Sequence, residues 1–330
     1  MTEVINGIYW IKNPIGLDGS SLTHVNSYLA RGKDGYLLVD TGWNTEESFE
    51  QIRKSLKEIK ASIEDISQIL VTHIHPDHYG MAGRIQKLSG AKIYMHEIEN
   101  NAIDSRYVNM ESLLRQTAAW LMHNGVPSEE TGDIRDASLE VVDLVVPVRP
   151  DVILHGGETI STGEFTFEAM WTPGHSPGHV CLYEPEKKVL LSGDHILPTI
   201  TPNIGRHPQS AENPLATYLE SLREIRQLDI EMVLPGHDEP FTELAARIDE
   251  IMQHHEQRNL EILKAVRERP MTAFDIAEYV TWGTNASWRD LPPIHRRMAI
   301  FETIAHLEFM VGKGRAQKID RDNIIYYQQT

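Results

Sequence analysis

The sequence predicts an α/β protein, and three observations carry that expectation. Apolar, β-branched runs of strand length alternate with segments of helical spacing over the first 96 residues. Histidines and aspartates gather where several such runs end, which is where open sheets place their sites. A tail of three helical segments and two short strands then follows. At 330 residues, 41% of them hydrophobic, the chain is long enough for a large core and a second domain.

Along the chain, strands are expected at 7–11, 24–30, 36–40 and 91–96, a helix at 45–60, and a strand ending at Ile69-Leu70-Val71. The next seven residues are Thr72-His73-Ile74-His75-Pro76-Asp77-His78. Side chains at i and i+2 of an extended backbone point the same way, so His73 and His75 can converge on one cation. Pro76 stops the strand and a helix is expected at 80–88, so Asp77 and His78 lie on the turn between them and can face a second ion. Carboxylate mixed with imidazole suits zinc, iron or manganese.

Further candidate ligands close three later strands. A strand at 165–170 runs into Trp171-Thr172-Pro173-Gly174-His175, one at 189–194 ends on Ser192-Gly193-Asp194, and one at 231–237 ends on Pro235-Gly236-His237. A single Pro-Gly-His is weak evidence of a ligand. Three strand-end signals in this order after the first motif are strong together.

The set His-x-His-x-Asp-His, Gly-His, Gly-Asp and Pro-Gly-His resembles that of the metallo-β-lactamase-fold hydrolases, closest to the branch containing glyoxalase II. The resemblance covers residues 1 to about 245. It implies an αββα sandwich with a dinuclear site at one edge, formed by a catalytic domain over 1–245. It further implies that His73, His75 and His175 hold a first metal, that Asp77, His78 and His237 hold a second, and that Asp194 bridges both. Zinc is the first expectation for the two divalent ions, with iron or manganese as alternatives. The strand at 36–40 followed by Thr41-Gly42 matches the family's early Asp-Thr-Gly turn. Asp40 is then either a carboxylate that orients a ligand or an ordinary turn aspartate. No expected ligand is missing, which argues against a degenerate, non-catalytic member.

From 97 to 143 the spacing turns helical, with Met110, Leu113, Leu114, Thr117, Trp120 and Leu121 in register. This reads as an insertion over the site. Tyr107, Met110, Trp120 and Met122 either wall an apolar substrate pocket or pack the insertion onto its own domain. His179 is expected to support the site or the fold. His207, on a loop after Asp194, is a candidate substrate contact.

The tail carries helical patterns at 241–269, 273–280 and 294–309, then strands at 316–319 and 323–327. Three helices and a hairpin make a winged helix, expected over 246–330. The tail resembles the small winged-helix domain appended to some members of the same superfamily, including a mammalian endoribonuclease-like group. Its helix at 294–309 carries Glu302 and Glu308, with Arg296 and Arg297 at the start only, so a structural or subunit-contact role, as in a homo-oligomer, is favoured over DNA reading.

Acidic residues outnumber basic ones by 48 to 31, for a net charge of -17, which disfavours nucleic acid as a partner. The single cysteine, Cys181, lies in an apolar stretch and reads as a packing residue. With no basic region before a long apolar run at its start, the chain is expected to be cytoplasmic, without a membrane span.

Two adjacent cations lower the pKa of a bridging water toward neutrality, so hydroxide is available at pH 7. They also stabilise the negative charge that develops on a carbonyl or phosphoryl oxygen. Asp77 and Asp194 are the candidate catalytic carboxylates, Asp77 to steer the hydroxide or pass its proton on. The expected activity is hydrolysis of an ester-like bond in a small molecule, a thioester such as an acyl-glutathione or acyl-CoA first and a lactone next. A nuclease or phosphodiesterase, and a metal-binding regulatory protein with little turnover, are the alternatives.

Overall fold

A computed structural model describes residues 1–15, 23–132, 142–283 and 288–330. Seven strands form the first sheet in chain order: β1 (Thr2–Ile5), β2 (Ile8–Pro14), β3 (His24–Gly32), β4 (Gly35–Val39), β5 (Ile66–Leu70), β6 (Lys92–His96) and β7 (Val152–Leu154). The pairs from β1 to β4 are antiparallel and those from β4 to β7 parallel. A second sheet holds β8 (Thr159–Ser161), β9 (Thr166–Trp171), β10 (Val180–Glu184), β11 (Val189–Gly193) and β12 (Met232–Pro235), with only β11 and β12 parallel.

The two-residue period of the strands sorts their side chains into layers. Leu37, Val39 and Leu70 turn inward against Phe167, Val180, Leu182, Leu191 and Leu234 of the second sheet. Their neighbours Leu38 and Ile69 turn outward, under α1 (Glu46–Glu58), α3 (Ala82–Ser89) and α4 (Glu97–Tyr107), with Ile52, Leu56, Ile85 and Ile103. On the far side, Leu190 and Val233 meet Leu215, Tyr218 and Leu222 of α6 (Pro214–Ile225) and Ile248 and Ile251 of α7 (Leu244–Ala265). The result is the helix–sheet–sheet–helix sandwich that the resemblance implies.

A further core joins the end of the chain to the segment after β6. Leu121 of α5 (Glu111–His123) and Val126 pack with Ile262 of α7, Ile276 of α8 (Ala273–Tyr279), Ile300, Ile304 and Leu307 of α9 (Pro293–Gly312), and Tyr327. Here α7, α8 and α9 are followed by the hairpin of β14 (Ala316–Arg321) and β15 (Ile324–Gln329), and β15 also pairs with β13 (Met271–Thr272). Thr272 caps α8 through a reciprocal pair with Asp275.

Several elements depart from expectation. The helix expected at 80–88 is α3, but a separate single turn of helix, α2 (Pro76–Tyr79), precedes it, so Asp77 and His78 are helical, not in a turn. Pro76 takes the first helical position, where its missing N–H costs nothing. The strands β1, β7, β8, β10 and β13 and the helix α6 are additional to those expected. β10 is central and apolar on both faces, a pattern without the alternation that marks a half-buried strand. Cys181 lies on it, fully buried, and burial pushes its thiol up to about 12, which suits a packing residue. No helix among the described residues is long and apolar enough to cross a membrane.

Candidate metal centre

The strand-end residues meet at one edge of the sandwich. Two glycines let the second sheet come this close. Gly193 has φ of +48°, and a Cβ there would sit 2.7 Å from His179 Nε2. A Cβ on Gly236 would collide with the Asp194 carboxylate. The glycines of the Gly-Asp and Pro-Gly-His motifs thus make room for the acidic and imidazole groups beside them.

Three overlapping groups of side chains offer ligand atoms within 4.8 Å of one another: His73, His75 and His175; His73, His78 and Asp194; and Asp77, His78 and His237. In the first, His75 Nδ1 lies 2.9 Å from His73 Nε2 and 3.0 Å from His175 Nε2. In the third, His237 Nε2 lies 3.3 Å from Asp77 Oδ2, and His78 Nε2 lies 3.6 Å from the same oxygen. Asp194 stands between them. Its Oδ2 is 3.6 Å from His175 and 3.4 Å from His237, and its Oδ1 is 3.3 Å from His78.

The outer hydrogen bonds set which ring nitrogens carry lone pairs. His175 Nδ1 donates to the Asn203 carbonyl at 3.0 Å, and His237 Nδ1 to the His24 carbonyl at 3.0 Å. His78 Nδ1 donates to Asp40 Oδ2 at 2.7 Å. Thr72 Oγ1 gives its proton to Asp40 Oδ2 at 2.8 Å and so accepts from His73 Nδ1 at 3.0 Å. Every inward Nε2 of these four rings, when neutral, is therefore a lone pair. Two of them converge on His75 Nδ1, which can offer one proton at most, and the others face carboxylates. His78 Nε2 and Asp194 Oδ1 are buried with no well-formed hydrogen bond. Converging lone pairs with oriented second nitrogens are a donor set that fits cations.

Electrostatics follow the same division. Burial, then the charges of His78 and His75, hold His73 well below the usual imidazole range, and burial with His175 does the same to His75. On Asp194 burial opposes the charge, yet His237 and His78 outweigh it and keep the carboxyl well below its usual value. Burial likewise opposes charge on His237, but Asp194 and Asp77 raise it to about 10.

Asp40 and His179 make hydrogen bonds behind the cluster. Asp40, at φ +56°, accepts from Thr72 N at 2.8 Å as well as from Thr72 Oγ1 and His78, so it serves both halves of the first motif. His179 makes no approach to the ligand cluster with a free nitrogen: Nδ1 pairs with the Thr172 hydroxyl at 2.8 Å, and Nε2 accepts Asp194 N–H at 3.2 Å. It holds the aspartate's backbone.

Glu99 is a residue that sequence reasoning misses. Its carboxylate accepts from Ile74 N at 3.1 Å, Ser176 Oγ at 2.6 Å and Gly178 N at 2.6 Å. It thereby clasps the loop of His73 and His75 to the loop of His175. Nothing separates Glu99 from Glu97 in sequence, since both are first-turn acids of a helix. Asn26 of β3 is missed as well; its Nδ2 donates to the Pro235 and Asp238 carbonyls at 2.9 and 2.7 Å, gripping the Pro-Gly-His loop from the opposite sheet.

The cluster opens into a cavity of about 580 Å³. Met110, Leu114 and Leu121 line one wall, and Met298 and Phe301 of α9 another. Tyr107, Met110 and His207 face it. Trp120 and Met122 do not. They flank the helical face formed by 110, 114, 117, 118 and 121; Trp120 instead lies under the Arg206 guanidinium at 4.9 Å, and Met122 is exposed.

Comparison with known proteins agrees with this geometry. The Metallo-beta-lactamase superfamily profile matches residues 21–237. A probable metallo-hydrolase of Bacillus subtilis (strain 168), YqjP, is 26% identical over 91% of this chain and 92% of its own length. The human acyl-coenzyme A thioesterase MBLAC2 is 29% identical over 72% of this chain and 80% of its own. A metallo-beta-lactamase family protein from Thermus thermophilus superposes with a TM-score of 0.83 at 28% identity, covering 99% of this chain and 100% of that one. The chain belongs to the Metallo-beta-lactamase superfamily, and its site and relatives are those of a metal-dependent hydrolase.

Proposed function

We propose that the chain hydrolyses a thioester or related carboxylic ester of a small molecule, lactones included, as a glyoxalase II-like member of its superfamily. The observation that carries this reading is the largely apolar cavity at the ligand cluster, a shape that suits an acyl chain beside a polar reacting bond. The human relative's name as an acyl-coenzyme A thioesterase supports it. His73, His75 and His175 would hold one divalent ion and Asp77, His78 and His237 the other, with Asp194 between, and zinc suits these donors best. Such ions supply a water of lowered pKa and polarise the scissile carbonyl.

The chain's own groups do the rest. Asp194 and the five imidazoles orient the reacting centre. Asp77, half-buried at the cavity, steers the attacking water and passes its proton to the leaving thiolate. The apolar walls exclude competing water. We assign residues 1–245 to the catalytic domain, 97–143 to its insertion, and 246–330 to a winged-helix-like unit that contributes a cavity wall. A single buried cysteine supports a reducing, cytoplasmic setting.

The test is metal analysis with a panel of acyl-CoA, acyl-glutathione, lactone, phosphodiester and RNA substrates. About two transition-metal ions per chain and thioester rates well above the phosphodiester rates are expected. Metal-dependent RNA cleavage that falls steeply with salt, with negligible thioesterase activity, would overturn the reading in favour of a nuclease. Metal without turnover on any substrate would point to a regulatory protein.

Acyl preference offers a second check. Met110→Ala and Met298→Ala enlarge the cavity and should shift kcat/KM toward bulkier acyl groups by about 10-fold, the worth of a methylene or two in an apolar pocket, with metal content unchanged. Equal rate losses across all acyl chains would mean that these side chains only pack.

A further inference from the structure

Helix α9 reaches the ligand cluster through one intermediary. Asn203 works in two directions: its main-chain carbonyl accepts the His175 Nδ1 proton at 3.0 Å, and its side-chain Nδ2 donates to Glu302 Oε2 on α9 at 2.6 Å. The same amide leans on the Met298 carbonyl at 3.4 Å. Three residues on, Arg206 N donates to the Phe301 carbonyl at 2.9 Å, so the loop is fastened to α9 at two rungs. Thus a side chain near the end of the chain sits two hydrogen bonds from an imidazole of the site.

Glu302 is an unusual choice for its position. It is 8% exposed on a helix otherwise buried through Ile300, Thr303 and Ile304. Burial pushes its carboxyl up to about 7, with Arg258 and the Asn203 amide pulling the other way. A buried carboxylate is costly unless its oxygens are used, and a leucine or methionine would fill the space more cheaply. What the carboxylate supplies is a directional acceptor for the Asn203 amide.

We propose that Glu302 is a positioning residue for the metal centre, holding Asn203 so that its carbonyl fixes the tautomer and direction of His175. The C-terminal unit is then part of the first metal site's machinery as well as a wall of the cavity. This rests on His175 being a ligand. Partners that orient a ligating imidazole govern metal affinity by about 10–100-fold.

The experiment uses the full chain loaded with cobalt(II), reading the affinity of each equivalent by chelator competition and its d–d absorption band. Glu302→Leu should weaken one of the two equivalents by about 10-fold or more and shift its band. Glu302→Gln keeps an oxygen for the Asn203 amide and should restore wild-type values. Asn203→Ala should repeat the Glu302→Leu result; this variant carries the test if the leucine variant does not fold by circular dichroism. Unchanged cobalt affinity and spectrum in Glu302→Leu or Asn203→Ala, whatever the melting temperature, would reduce Glu302 to packing. Weakening in Glu302→Gln equal to that in Glu302→Leu would assign the effect to charge and overturn positioning. A wild-type chain that binds no cobalt removes the hydrolase reading itself, which is a separate result.

Discussion

Asp194→Ala is expected to remove bound metal and hydrolysis together. The carboxylate is 7% exposed, and its two oxygens face His175 and His237 on one side and His78 on the other. The carboxylate thereby touches both halves of the cluster. Alanine leaves the inward lone pairs with no anion between them, so each half must bind its ion alone and with less charge. The loss in kcat/KM should exceed the roughly 100-fold seen when only a supporting partner of a ligand is removed. Metal content by mass spectrometry and thioester turnover are the readouts. Two ions per chain with a wild-type rate would show that Asp194 is not the shared ligand.

Glu99→Gln tests the clasp behind the first site. The change keeps shape but puts an NH2 where either Gly178 N–H and the Ser176 hydroxyl, or Ile74 N–H, now donate. A donor facing a buried donor loses the hydrogen bond and leaves the partner unsatisfied, at about 1–3 kcal/mol for each such group. Because the affected loops carry His73, His75 and His175, the cost should appear as metal affinity, lowered about 10–100-fold, with a fall in kcat/KM of similar size. Glu97→Gln, on the exposed side of the same turn, is the control. Equal, small effects from both changes would mean that the two loops hold their geometry without Glu99.

Legibility varies with the range of the signal. The candidate ligands stand out because each of their motifs follows an apolar strand, a local pattern that survives without knowledge of partners. Asp40 is readable from its turn, though not its double service to Thr72 and His78. Glu99, Asn26 and Asn203 are not readable, because each acts across a distance in sequence that no local spacing reports: Glu99 joins residues 74 and 178, and Asn26 reaches Pro235. The helical stretch after β6 is recognisable by period, but its facing is split. Period alone says that one face is apolar; which tryptophan or methionine meets the cavity depends on α9, which is nearly two hundred residues later.

Helix α7 joins the two parts of the molecule without an interruption. Its first turns pack Leu244, Ile248 and Ile251 beneath the second sheet, and its last turns pack Ile262 and Leu263 in the C-terminal core. At 22 residues it is a rod about 33 Å long with no break between the two ends. A flexible tether would let the tail swing and would make its loss harmless to the rest. A shared rod makes the tail a lever arm of fixed angle: a push on α8 or the hairpin is delivered to the layer beneath β11 and β12, the strands that end at Asp194 and His237.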